Sequence, residues 1–85
     1  MNVTVHFYVF DLPPNFAHAE FELNDGATVN DVMDSCLKLF EERNVSMDEN
    51  ELRTATVLVN NKWLNPDEPV SDGAVIKIIR PMDGG

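Results

Sequence analysis

From Val29 to Phe40 the apolar residues Val29, Val32, Met33, Cys36, Leu37 and Phe40 fall at i, i+3, i+4, i+7, i+8 and i+11. That spacing draws one stripe along an amphipathic helix of about three turns. Thr28 is placed to cap it, with Asp31 at the third helical position to reach back or to favour the positive helix end. Asp34 and Lys38, four apart on the solvent side, add slight support. Before and after this helix the apolar pattern has a period of two. A single helix with one apolar face needs a surface to cover, and the flanking strands supply a sheet.

Val3, Val5, Phe7 and Val9 alternate with Thr4, His6 and Tyr8, which predicts a strand with one buried face. The run Asp11-Leu12-Pro13-Pro14-Asn15 breaks it, since proline donates no ladder hydrogen bond. Ala17, Ala19, Phe21 and Leu23 alternate in a second strand that Asn24-Asp25-Gly26 ends. Residues 44–53 have weak periodicity and read as a loop or short helical turn. A strand at Ala55 to Val59, a tight Asn60-Asn61 turn and a short strand at Lys62 to Leu64 follow. Pro66 and Pro69 bracket a loop, and Ser71-Asp72-Gly73 leads into the last strand, Val75 to Ile79. The order β-β-α-β-β-β predicts an α+β fold: a mixed sheet of about five strands with one main helix across one face. That is the β-grasp of ubiquitin.

Eighty-five residues are enough for one small core, so the chain reads as one domain, 1–85, ending in a flexible tail over 81–85. Six basic residues stand scattered against fifteen acidic ones, for a formal net charge of −9. Nucleic-acid binding needs clustered Lys and Arg, and an anionic membrane would repel this chain. Neither is an expected partner; a protein with a basic docking surface is the natural complement, unless the acidity only maintains solubility. No stretch approaches a membrane span and the N-terminus lacks the marks of a secretory signal. With the lone Cys36, which admits no internal disulfide, this predicts a cytoplasmic protein.

Catalytic chemistry finds little purchase. His6 and His18 lie on the polar sides of their strands, and no Cys pair or Cys/His spacing predicts a metal site. Cys36 sits in the helix stripe and reads as a buried core thiol. Asp48, Glu49 and Glu51 lack calcium-loop spacing. No metal and no bound cofactor are expected. The chain's end is different: Gly84 and Gly85 leave a carboxylate on a tip without side chains, just beyond an apolar strand. At average glycine usage a chance Gly-Gly end has odds of about one in two hundred. A terminal carboxylate can be activated chemically, and two glycines let it enter a narrow site. A frayed end or a cloning remnant is the plainer reading. By strand alternation Tyr8, Leu58 and Ile79 face away from the helix-covered side, as a small apolar docking patch at the tail's root, unless segment 44–53 covers them.

The late Val59-Asn60 hairpin, the turn Pro69-Val70-Ser71-Asp72-Gly73-Ala74-Val75 and the Gly84-Gly85 end together resemble the MoaD/ThiS sulfur carriers, which are ubiquitin-like β-grasp domains. The match is strongest over 55–85, and length favours the MoaD branch, the small subunit of molybdopterin synthase. The family often has Pro-Pro leading into the tail; here Arg80-Pro81 stands instead, followed by Met82-Asp83. The resemblance implies a chain that is a substrate and not an enzyme. A ubiquitin-activating-like, ATP-dependent adenylyltransferase, using its own Mg-ATP, would adenylate Gly85. A sulfur donor would convert the adenylate to a thiocarboxylate, and the tail would enter a synthase large subunit to deliver sulfur for molybdenum or tungsten cofactor. Tyr8 and Ile79 match partner-contact positions, and Leu58, Arg80, Pro81, Met82 and Asp83 join them as expected contacts. A thiamine-pathway carrier, a modifier conjugated through Gly85, and a passive interaction module are the alternatives.

Overall fold

The computed structural model describes residues 1–81. Met82, Asp83, Gly84 and Gly85, on which part of the tail reading falls, lie outside the described residues. Strands β1 (Asn2–Tyr8), β2 (His18–Glu22), β3 (Thr56–Val59), β4 (Lys62–Trp63) and β5 (Val75–Ile79) form one sheet, with helix α1 (Val29–Glu42) across it and a short helix α2 (Glu49–Arg53) beside α1. The sheet order is β2-β1-β5-β3-β4. Only the central pair, β1 and β5, runs parallel, with Tyr8 opposite Ile79. This is the mixed sheet and single main helix of a β-grasp.

The helix forms where the stripe predicts. Thr28 Oγ1 accepts from Asp31 N–H at 3.3 Å while Asp31 Oδ2 accepts from Thr28 N–H at 2.8 Å, a reciprocal capping box. Two of the next helical N–H groups, otherwise without partners, donate outward: Val29 to Glu68 O at 3.0 Å and Asn30 to Pro66 O at 2.9 Å. The Pro66–Pro69 loop therefore closes the helix start. Val29, Val32, Met33, Cys36 and Phe40 are buried, and they meet Val3, Val5, Phe7, Val57, Val59, Ile76 and Ile78 from the sheet. Phe40 sits among aromatics, 5.2 Å from Phe7 and 6.0 Å from Phe16 between ring centres. Asn60 and Asn61 both take positive φ, 50° and 66°, as a two-residue hairpin requires.

Five expectations are corrected. Val9 does not continue the buried row: β1 ends at Tyr8, and Val9 turns to φ 71° with 59% exposure. That reversal sends Phe10 back against Phe7, edge to face at 6.1 Å. The second strand is shorter than 17–23, because Pro14–Phe16 forms a 3-10 turn that Ala17 closes. The third strand starts at Thr56 instead of Ala55, since Ala55 N–H bonds to Leu52 O at the end of α2, and the fourth stops at Trp63. Finally, Asp34 does not serve Lys38; it pairs with Arg53 from α2, which also bonds Asn30 and Glu49. The Asp34 hydrogen bond most of all, and Glu49 after it, raise the Arg53 pKa above its ordinary value.

Segment 44–53 contains that helix. Asp48 caps it, its carboxylate accepting from the N–H groups of Asn50 at 2.8 Å and Glu51 at 3.3 Å. Leu52, fully buried, pins α2 to the core on the α1 side of the sheet. An Asp-x-x-Glu cap followed by one leucine was the available signal, too short to create periodicity.

Candidate functional site

The sheet has two faces, and the described residues cover only one. Register fixes what the open one shows: Thr4, His6 and Tyr8 of β1; Val75, Lys77 and Ile79 of β5; Thr56 and Leu58 of β3; Trp63 of β4. Tyr8 lies directly beside Ile79, and Leu58 is the diagonal neighbour of Ile79 one strand further on. The expected patch of Tyr8, Leu58 and Ile79 is therefore brought together. Since α2 packs against α1, segment 44–53 leaves Tyr8 uncovered, at 43% exposure.

Trp63 and Val75 enlarge the patch. Trp63 pairs with Leu58 across the hairpin and is 67% exposed, and Val75 also faces out. Sequence reasoning left Trp63 aside because a two-residue strand has no alternation to read. The Asn60-Asn61 turn was the usable signal, since a two-residue turn sets Leu58 against Trp63. One transverse row crosses the whole face: Trp63, Leu58, Lys77, His6, His18. Lys77 Nζ donates to Asn61 Oδ1 at 3.1 Å, and the two imidazoles sit 5.8 Å apart. Glu20 and Glu22 of the edge strand β2 add acidic charge at one margin.

At the end of β5 the chain leaves this face. Arg80 N–H donates to Tyr8 O at 3.0 Å, carrying the central ladder one residue beyond Ile79. The Arg80 guanidinium reaches Glu51 on α2, and Pro81 follows. Of the predicted site residues, the structure thus gathers Tyr8, Leu58, Ile79, Arg80 and Pro81 around one corner of the sheet. Gly84 and Gly85 continue from it, outside the described residues.

Elsewhere the chemistry is quiet. Cys36 is completely buried, and loss of hydration pushes its thiol up to about 12, so it is protonated and inert at neutral pH. Among the described residues no three His, Cys, Asp or Glu side chains gather to hold a metal ion. No helix among them is long and apolar enough to cross a membrane.

A sequence model of the ThiS family matches residues 8–85. The chain belongs to the ThiS family. Direct comparison with curated proteins finds no match. Among solved structures, a Pyrococcus furiosus protein described as molybdopterin converting factor subunit 1 superposes with a TM-score of 0.69 at 24% identity, covering 96% of this chain and 99% of its own. Small archaeal modifier protein 1 of Haloferax volcanii gives 0.68 at 19% identity, over 95% and 98% of the two chains. The complex of subunits 1 and 2 of the molybdopterin-converting factor from Helicobacter pylori gives 0.57 at 22% identity, over the full length of both. At these identities the likeness is one of fold, and the ThiS-family assignment makes this chain one of the small ubiquitin-like sulfur carriers. Carriers of this kind are generally not catalysts themselves.

Proposed function

We propose that this ThiS-family chain carries sulfur as a thiocarboxylate on Gly85, for the synthesis of a molybdopterin-type cofactor. The observation that carries the reading is the position of the apolar patch. Tyr8, Leu58 and Ile79 surround the point where the last strand hands the chain to its Gly-Gly end, within a family match that runs to Gly85.

The chemistry follows from what a carboxylate lacks. Its oxygens are poor leaving groups, so a partner adenylyltransferase supplies ATP, held with magnesium in its own site. A Gly85 oxygen attacks the α-phosphorus, pyrophosphate leaves, and a mixed anhydride with AMP remains. Sulfur at the sulfide level attacks the carbonyl carbon and AMP departs, leaving a thiocarboxylate. This chain contributes the reacting carbon, the approach without side chains at Gly84 and Gly85, and a docking face. Tyr8, Leu58 and Ile79 present apolar area, and beyond Arg80 at the end of β5 Pro81, Met82 and Asp83 lead into the partner's channel. The Helicobacter pylori complex pairs a subunit 1 with a subunit 2, which supports a synthase large subunit as the second partner here.

A modifier conjugated through Gly85 is the second reading, favoured by the likeness to the Haloferax volcanii modifier protein. The same adenylate would serve both fates, with a lysine amine in place of sulfide. Intact-mass spectrometry of the chain from its native cells separates them. A gain matching one oxygen replaced by sulfur supports the carrier, and adducts to other proteins through Gly85 support the modifier. Removal of Gly84 and Gly85 is expected to abolish activation and leave the melting temperature unchanged. A truncated chain that still supports function sinks both readings.

A further inference from the structure

Arg80, the last residue before Pro81, donates three hydrogen bonds at the end of β5. Its N–H donates to Tyr8 O at 3.0 Å. Its guanidinium donates twice to one oxygen, Glu51 Oε1, from Nη2 at 2.7 Å and from Nε at 3.2 Å. Glu51 is itself held firmly. Asp48 caps its N–H, its neighbour Leu52 is fully buried, and Arg53 ties the same helix to Asp34 and Asn30 of α1. The Arg80 side chain crosses as a strut between two clefts. One, of about 360 Å³, is lined by Phe10, Ser46 and Met47, and the other lies against Thr54 and Pro81.

We propose that Glu51 and Arg80 form a clamp on the root of the C-terminal tail, positioning the terminus for reaction, and that the acidic segment 44–53 serves to hold it. This rests on the reading of Gly85 as the reacting residue. Arg80 is fixed through its backbone by β1 and through its side chain by α2. The ring of Pro81 restrains its own φ and confines Arg80 to extended conformations. The direction in which the chain leaves the sheet is thus set before any partner arrives. Presetting it lowers the ordering cost of binding. Because both partners of the ion pair are about two-fifths exposed, the pair adds little to global stability. Its effect is local, which makes it separable from folding.

Glu51→Gln, Arg80→Glu and the exchanged pair Glu51→Arg/Arg80→Glu test this in the full chain. Two readouts are needed: hydrogen–deuterium exchange at the Arg80 amide, and KM and kcat for the carrier in ATP–pyrophosphate exchange by the purified activating enzyme of the same cells. Each single variant is expected to speed exchange at Arg80 and raise KM about two- to fivefold, the range open to an exposed pair. The melting temperature and kcat stay near those of the unsubstituted chain, and the exchanged pair restores both shifted values. Unchanged Arg80 exchange in Glu51→Gln overturns the proposal. So does an exchanged pair whose KM stays raised, because Arg80 would then be read directly by the enzyme. Should the unsubstituted chain support no pyrophosphate exchange, the carrier reading is what fails, and the clamp stands or falls on the Arg80 amide.

Discussion

The two faces of the sheet are made by the same strands yet hold opposite kinds of residue. Under α1, Val3, Val5, Phe7, Ile76 and Ile78 are all buried, and each touches helix or neighbouring strand. On the other side Tyr8, Val75 and Trp63 are exposed, and Leu58 and Ile79 are half-buried. Strand β5 is apolar on both faces apart from Lys77. Folding accounts for one face alone. Apolar residues kept in water on the second are informative because the fold does not require them. What the contrast teaches is a division of labour: the covered face fixes register and stability, and the open face is left without a part in the core.

The division is most easily broken from the covered side. Phe40→Ala removes a ring that is 1% exposed and stacked among Phe7 and Phe16. It is expected to cost about 3–5 kcal/mol in urea denaturation. A cost below about 1 kcal/mol would mean that the core is not organised around the α1 stripe.

A second test uses Cys36 as an internal reporter of the same face. Its thiol is raised from about 9 to about 12 by burial, so the native state keeps a proton that the unfolded chain releases first. The stability attached to this group is therefore complete below about pH 9 and is lost as pH rises from there toward 12. The loss is at most about 1.4 kcal/mol per pH unit. Denaturation midpoints of the unsubstituted chain should fall more steeply over that range than those of Cys36→Ala. Parallel pH profiles would mean that the thiol is hydrated.

The smallest stability effect is expected on the open face. Tyr8→Ala and Trp63→Ala should each change unfolding by less than about 1 kcal/mol, as is usual for exposed positions. If the face is for recognition, the same changes should weaken binding to the synthase large subunit about tenfold or more by calorimetry. Normal affinity in both variants would confine recognition to the tail.

How much of this was legible depended on period. The α1 stripe, the Val75–Ile79 strand and the Asn60-Asn61 turn carry several residues that agree with one another, and the structure reproduces them. The Tyr8, Leu58 and Ile79 patch followed from alternation alone, since a pleated strand has only two faces. What escaped was short or dictated at a distance. Segment 44–53 escaped only in part: it reads as a loop or short helical turn, and α2 is that turn, five residues that are too few for a stripe, with Leu52 their one buried residue. Val9 looked like the next step of an alternating strand, but the need to return Phe10 to the core decided its backbone. Asp34 had a local candidate in Lys38 and a better partner in Arg53, nineteen residues away. Register across a hairpin, which put Trp63 on the open face, is a tertiary fact with only a turn to announce it.

The central pairing of β1 with β5 has a consequence for synthesis. Among the described strands the first in the chain and the last are partners, matching Thr4 with Val75 and Tyr8 with Ile79. Until β5 has left the ribosome, β1 lacks its middle neighbour and the apolar underside of α1 cannot be closed. Contacts so distant along the chain also form late and slowly. Folding is thereby made to wait for β5. A nascent chain that has assembled its open face has already produced Ile79, so on the proposed reading the face and the root of the tail become available together.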